Sequence, residues 1–198
     1  MKKKKIALLD LGGVVFQLFG KSNREIDWKI IWQLNEKHGT ETGGLDFSNF
    51  LLDYNELTNQ KLKDAVFLEK VFDTLDFNRE LIEFLKQERE IIIVSDNYRE
   101  NIEYISKRYH FSEWSIQQIY SYEYEMYKSN PAFFERLLKE NKELVLEDLL
   151  LIDDSPLKLD SAFKSGIHGI RFVNNAQVMK EITEYDKRIL EVRSQNEK

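Results

Sequence analysis

The sequence predicts an α/β fold, in which a doubly wound parallel sheet carries an inserted helical subdomain. Several short apolar runs have no polar face, which is typical of strands that helices cover on both sides. Segments with helical spacing of apolar residues separate most of these runs, as crossover connections between parallel strands require. After the first run, a long stretch is helical and polar with no strand-like block, which indicates the insertion.

The composition excludes several classes of protein. The 198 residues are 42% hydrophobic and 13% aromatic, enough for one core with an insert. A net charge of -6 argues against nucleic-acid binding, and no apolar run approaches the roughly 20 residues of a membrane span. The lack of cysteine excludes disulfides and thiol chemistry. We expect a cytoplasmic monomer or homodimer that binds neither nucleic acid nor membrane.

The first predicted strand, residues 6–9, ends in a lone carboxylate and two glycines. Asp10 follows the strand, at the edge where open α/β sheets bind ligands. Gly12 and Gly13 allow a sharp turn and a close approach of backbone to whatever Asp10 holds. An aspartate that merely starts a turn explains this stretch alone equally well.

Residues 17–76 are predicted to form the helical insert, with residues 1–16 and 77–198 forming the core. Three helices are expected in the insert, over residues 26–34, 47–54 and 62–71, the second of them capped by Asp46. The glycine-rich segment 39–44 breaks the first helix. A stripe of Trp28, Trp32 and His38 could line a pocket, but such stripes are usually core, and we expect core here.

The second predicted strand, residues 90–95, also ends in polar groups. Ser95 closes the strand, and Asp96 and Asn97 lead into a helix over residues 100–109. Small polar side chains and helix N-terminal amides at the sheet edge suit an anion, although the same residues would also serve as a simple helix cap.

Lys128 precedes a helix over residues 132–140, after a short third strand at 116–120. A lysine near a helix start opposes the helix macrodipole, so it needs an anionic partner more than an average lysine does. A freely solvated lysine is the alternative.

The fourth predicted strand, residues 149–152, runs into Asp153 and Asp154, and a helix over 157–165 and a fifth strand over 169–173 follow. Adjacent carboxylates repel unless a cation or donors compensate them. Carboxylate oxygens of this kind suit Mg²⁺. A charged terminal helix is expected from about residue 180.

These strand ends would meet at one edge of the sheet, and together they resemble the haloacid dehalogenase (HAD) superfamily, subfamily I, which has a helical cap after the first strand. The four segments similar to the family's motifs are residues 8–14, 93–97, 128–131 and 151–156. The resemblance implies a Rossmann-like core with an α-helical cap. It also implies a Mg²⁺-dependent hydrolase, a phosphatase of a small phosphorylated metabolite such as a sugar phosphate.

Roles for individual residues follow from the resemblance. Asp10 would be the nucleophile that forms an aspartyl phosphate, while Ser95 and Lys128 would bind the phosphoryl oxygens. The substrate-binding set implied by the family comprises Gly12, Gly13, Ser95, Asp96, Asn97 and Lys128. The implied Mg²⁺ ligands are Asp10, the Gly12 carbonyl and Asp154, assisted by Asp153.

One departure from the family concerns catalysis directly. Phosphatases of this family usually carry a second aspartate at the position of Gly12, and general acid–base help is worth roughly 10²–10⁴-fold. The alternatives are therefore a metal-independent hydrolase resembling the dehalogenases and a catalytically impaired phosphate-binding protein. Asp96 is a conceivable substitute, with a structural role favoured. Lys158 in place of asparagine and Ser129 in place of proline are further departures.

Overall fold

The structure is a computed structural model that describes residues 5–18, 26–43 and 47–196. Within these residues the strands are β1 (Lys5–Leu9), β2 (Phe16–Gln17), β3 (Asp76–Phe77), β4 (Arg89–Ser95), β5 (Gln117–Tyr120), β6 (Leu149–Asp153) and β7 (His168–Arg171). The α-helices are α1 (Trp28–His38), α2 (Phe47–Thr58), α3 (Asp64–Asp73), α4 (Arg79–Glu88), α5 (Arg99–Arg108), α6 (Ser121–Tyr124), α7 (Pro131–Glu140), α8 (Pro156–Lys164) and α9 (Asn175–Asn196).

Five strands form one parallel sheet in the order β5-β4-β1-β6-β7. The central strand β1 places Ala7 opposite Ile91 of β4 on one side and Leu150 of β6 on the other. The α/β fold with a doubly wound parallel sheet and a helical insertion is thereby confirmed.

Helices cover both faces of the sheet, which explains why its strands are apolar throughout. Successive side chains of a strand point to opposite faces. In β1, Ala7 and Leu9 belong to one hydrophobic cluster, shared with α4, α5, α9 and the inserted helices. Ile6 and Leu8 belong to the other, shared with α7 and α8. A polar residue in this strand would therefore be buried whichever face it occupied.

The strand order reverses between β1 and β6. The chain leaves β1 toward β4 on one side, and leaves β6 toward β7 on the other. Ligands of open α/β sheets bind at such a point, in the crevice beyond the carboxyl ends of the strands. Asp10 lies at this position, where its backbone N–H donates to the Ile152 carbonyl at 3.1 Å.

Along the chain, two very short strands come before and after the inserted helices α1 to α3, and these two strands pair with each other. β2 and β3 are antiparallel, with Phe16 opposite Phe77 and Gln17 opposite Asp76. This pair was not predicted, because two residues are too few to show an alternating pattern. The boundaries 16/17 and 76/77 remain predictions, and they fall on this pair.

Most element bounds lie within a few residues of those predicted. The clearest differences are α9, which begins at Asn175 and not near residue 180, and the one-turn helix α6, which was not expected. Asp46, the predicted cap of α2, lies outside the described residues. Among the helices that the structure describes, none combines the length and apolar character needed to cross a bilayer.

Candidate active site

Lys128 lies at the centre of the strand-end cluster and is completely buried. Its ammonium Nζ lies 2.8 Å from Asp10 Oδ1 and 2.6 Å from Asp153 Oδ2, and it donates to the Val94 carbonyl at 2.9 Å. An ammonium has three N–H donors, so these three oxygens occupy them. The sequence predicted an anionic partner for Lys128, because this lysine lies near a helix start. The structure provides two, the carboxylates of Asp10 and Asp153.

The two carboxylates beside Lys128 differ in their proton affinity. Burial, and then the neighbouring Asp153 charge, raise the pKa of Asp10 to about 6 against the pull of Lys128. Burial would raise the pKa of Asp153 too, but Lys128 and Lys158 hold it below its usual value. The Asp10 and Asp153 charges, in turn, outweigh burial and raise the pKa of Lys128.

Asp10 is held by one of its two oxygens. Oδ1 accepts the Leu11 backbone N–H at 2.8 Å in addition to its ion pair with Lys128. Within the described residues, Oδ2 accepts no hydrogen bond, and Lys158 approaches it at 4.0 Å. A fixed carboxylate with one uncommitted oxygen is the arrangement that a nucleophile or an anionic metal ligand needs.

Asp96 ties the loops of the site together. Its Oδ1 accepts the backbone N–H of Lys128 at 2.9 Å, and its Oδ2 lies 3.0 Å from the Lys158 ammonium. Both oxygens are therefore engaged by donors from two other segments of the chain. This arrangement favours the structural role considered for Asp96 over proton transfer.

Ser95 and Asn97 are also buried at the end of β4. The Ser95 hydroxyl lies 3.4 Å from the Asp96 carbonyl, a weak hydrogen bond. The Asn97 backbone N–H donates to the Ser121 hydroxyl at 2.9 Å, and its side-chain oxygen accepts from the Tyr98 N–H at 3.1 Å. Asn97 thus lies beside the site with its side-chain oxygen directed to the start of α5.

The two glycines after Asp10 are not equivalent. Gly13 has a left-handed φ of +76°, and a Cβ there would overlap the Asp154 carboxylate. Gly12 has no left-handed φ, and a Cβ built there meets no heavy atom within 4 Å. The turn therefore requires glycine at position 13 only, while position 12 has open space.

Three carboxylates at the crevice fit a divalent cation. One oxygen each of Asp10, Asp153 and Asp154 lie within 4.8 Å of one another. Asp153 Oδ1 already accepts the Ser155 N–H at 2.9 Å and its Oδ2 meets Lys128. In the described part of the chain no basic side chain lies within ion-pair distance of Asp154, so its carboxylate and Asp10 Oδ2 are the oxygens best placed for an ion such as Mg²⁺.

A cavity of about 400 Å³ opens over this cluster, between the sheet edge and the insert. Gly12, Asp154 and Lys158 line its polar end. Trp28 and Trp32 line its apolar part, and Trp32 is 57% exposed, so the expectation that this stripe is core was wrong for Trp32. Trp32 is exposed because the side of α1 that carries it lines the cavity. His38 instead hydrogen-bonds with Asp53 at 2.8 Å.

Two residues of the site were not identified from the sequence. In the sequence Lys158 stands out only as a departure from the family pattern, yet it brings a second cation to Asp10 and Asp96. Glu41 lies in the glycine-rich break after α1, and its side chain lines the cavity. No local pattern marks Glu41, whereas Lys158 could have been found as a lysine in the first turn of a helix.

Several solved structures are similar to this one over most of the chain. The HAD family enzyme bt-2542 from Bacteroides thetaiotaomicron, in complex with magnesium and inorganic phosphate, aligns with a TM-score of 0.64 at 18% identity, covering 85% of this chain and 94% of that one. A predicted HAD-like family hydrolase from Porphyromonas gingivalis gives 0.67 at 17% identity, covering 91% and 97%. The 2-haloacid dehalogenase from Pseudomonas syringae gives 0.54 at 11% identity, covering 86% of each chain.

Neither a family model nor a curated protein matches the sequence. The structural similarities establish that the chain has the HAD-like hydrolase fold.

Proposed function

We propose that this chain, which has the HAD-like fold, is a Mg²⁺-dependent phosphatase of a small phosphorylated metabolite such as a sugar phosphate. The observation that carries the proposal is the position of Asp10. Its carboxylate lies at the switch point of the sheet, buried and held through Oδ1 by Lys128 and Leu11. The magnesium and phosphate bound by the Bacteroides enzyme of the same fold support this choice of chemistry.

In the proposed reaction, Asp10 Oδ2 attacks the phosphorus of the substrate and forms an aspartyl phosphate. Lys128 keeps Asp10 oriented and offsets the negative charge around it. All three Lys128 donors are engaged within the protein, so direct binding of a phosphoryl oxygen would require it to release one partner. Lys158 lines the cavity and is the cation more readily available to the phosphoryl group. Direct roles for Ser95, Asp96 and Asn97 in binding substrate remain predictions.

Mg²⁺ would be held by Asp10, Asp154 and the Gly12 carbonyl, with Asp153 acting indirectly through Lys128. The donor set consists of oxygens, which Mg²⁺ prefers. When bound, the ion would polarise the phosphoryl group and offset its negative charge. Both Asp153 oxygens are already engaged, Oδ2 by the Lys128 ammonium and Oδ1 by the Ser155 N–H. The role of Asp153 would therefore be to hold Lys128 in place.

The test is phosphate release by the wild type, Asp10→Asn and Asp160→Asn from a panel of phosphorylated metabolites. The amide of Asp10→Asn can neither attack phosphorus nor carry a full charge, so turnover should be abolished. Asp160 is an exposed carboxylate in α8, the helix that follows β6, so Asp160→Asn should behave as the wild type. Activity of Asp10→Asn within tenfold of the wild type would remove Asp10 from the nucleophile role.

Two other functions are each favoured by one observation. Lys128 and Lys158 already place two cations beside Asp10, as a metal-independent hydrolase resembling the dehalogenases would need. Turnover that persists in EDTA would support the metal-independent hydrolase.

The missing side chain at Gly12 favours a phosphate-binding protein with impaired catalysis. That protein would show a melting temperature raised by phosphate but no turnover of any ester.

A further inference from the structure

Gly12 has no side chain that could act as a proton donor in the proposed reaction. A leaving alkoxide needs a proton, and a water that attacks the aspartyl phosphate must lose one. No side chain at position 12 can supply either step. Because a Cβ at Gly12 would meet nothing within 4 Å, the space is open to a group from another part of the chain.

Glu41, a residue of the insert, brings a carboxyl group to the cavity that Gly12 lines. It lies in a 3₁₀ turn, Thr40–Thr42, and lines the same cavity as Gly12 and Lys158. The side chain is mostly buried, and its Oε1 accepts from the Asn35 side-chain amide at 3.4 Å. Asn35 lines the cavity as well, so this hydrogen bond joins two lining residues that both belong to the insert.

A hydrogen bond holds this turn against the core. The Ser121 hydroxyl donates to the backbone carbonyl of Glu41. The same hydroxyl accepts the backbone N–H of Asn97 at 2.9 Å, so one serine links the turn to the loop after β4. Glu41 is thus positioned by the loops that form the site.

The charges around Glu41 are unusual for a surface glutamate. Burial, and then the negative charge of Asp96, raise the pKa of Glu41 to about 7, against the opposing effect of Lys158. Glu41 also interacts electrostatically with Asp10, Lys128, Tyr98 and Tyr127. A carboxyl that titrates near neutral pH can both give and take a proton there.

We propose that the Glu41 carboxyl is the general acid and base of the reaction at Asp10, replacing the side chain that Gly12 lacks. The assignment rests on the proposed phosphatase function. Asp96 is the weaker candidate, because both of its oxygens are engaged by donors from Lys128 and Lys158.

In the first step, Asp10 Oδ2 bonds to phosphorus while the bond from phosphorus to the leaving oxygen breaks. The Glu41 proton passes to that oxygen, which leaves as an alcohol. In the second step, Glu41, now a carboxylate, takes a proton from water as the water oxygen bonds to phosphorus. The bond between phosphorus and Asp10 breaks, inorganic phosphate leaves, and Asp10 is again a carboxylate and Glu41 again an acid.

The test compares the wild type, Glu41→Gln and Glu56→Gln on glycerol 2-phosphate and on p-nitrophenyl phosphate. Glu56 is an exposed glutamate of the same insert, so Glu56→Gln should match the wild type. With glycerol phosphate, Glu41→Gln should turn over at least about 10²-fold more slowly, because the leaving oxygen must depart as an unprotonated alkoxide. With p-nitrophenyl phosphate, whose leaving group needs no proton, Glu41→Gln should release one nitrophenolate per enzyme in a burst and then accumulate phosphorylated Asp10.

Turnover of Glu41→Gln within threefold of the wild type on both esters, with no burst, would overturn the role of Glu41 and leave the phosphatase function intact. If the wild type itself forms neither phosphate nor phosphoenzyme, and Asp10→Asn behaves the same, the proposed function fails and Glu41 loses its role with it. Glu41→Asp, which keeps the acid but shortens its reach, should fall between the wild type and Glu41→Gln.

Discussion

Replacing Glu41 by glutamine should change how the free energy of unfolding depends on pH. Glu41 is an acid whose pKa rises from 4.5 to about 7 on folding. The folded state therefore binds a proton that the unfolded chain has already lost between these two pH values. Wild-type stability should fall as the pH rises from about 4.5 to 7 and stay constant above that range, as far as this group is concerned.

The size of this change in stability follows from the change in the pKa of Glu41 on folding. At 1.36 kcal/mol per pKa unit, this shift corresponds to about 3 kcal/mol lost by the wild type between pH 4.5 and pH 8. The side chain is mostly buried, so solvent screening should reduce this figure little. Glutamine keeps the size of the side chain but cannot ionise. Relative to the wild type, Glu41→Gln should gain about 3 kcal/mol of stability over the same range.

Urea unfolding of both proteins at pH 4.5 and pH 8, in buffer free of divalent cations, measures this difference directly. Glu56→Gln is the control and should show the same pH dependence as the wild type, because Glu56 is exposed. If Glu41→Gln and the wild type differ by the same amount at both pH values, Glu41 does not ionise within the folded protein near neutral pH. The electrostatic basis of its proposed role would then be lost.

Three further variants test other parts of the site. Gly12→Asp should fold, since position 12 has open space, and in the Glu41→Gln background it should restore turnover of esters with poor leaving groups, because the new carboxyl can replace that of Glu41. No gain in a folded, Mg²⁺-binding double variant would show that a carboxyl at position 12 cannot supply the proton. Asp154→Ala should weaken Mg²⁺ binding far more than Ser155→Ala, and equal affinities by calorimetry would refute the metal site. Lys128→Met should cost about 3–5 kcal/mol in urea unfolding, because Asp10 loses its buried partner, and a loss under about 1 kcal/mol would contradict this picture.

Much of the fold could be predicted because the signals are local. A run such as residues 149–152 has no polar face, and only a strand buried on both sides explains that. Asp10 and Asp153 follow such runs directly, so a parallel sheet must bring them to the same edge. The short pair β2 and β3 could not be predicted, because its stability comes from the neighbouring elements and not from its own two-residue pattern.

The site was predictable only in part. The positions of Asp10, Lys128 and Asp154 relative to predicted strands and helices pointed to one sheet edge, and the structure places them there. That all three donors of Lys128 are used within the protein depends on where the Val94 carbonyl and Asp153 lie in space, which spacing along the chain does not reveal. The exposure of Trp32 likewise depends on how α1 packs, and periodicity alone indicated core.

The sequence by itself determined which residues form the strands of the core and that acidic groups end two of them. It did so because burial on both faces and strand-end polarity are properties of a few consecutive residues. The tertiary structure alone decided that Glu41, in a glycine-rich turn, lines the same cavity as Gly12. That placement depends on how the insert packs on the core, through a long-range hydrogen bond from Ser121 that leaves no periodic trace in the chain.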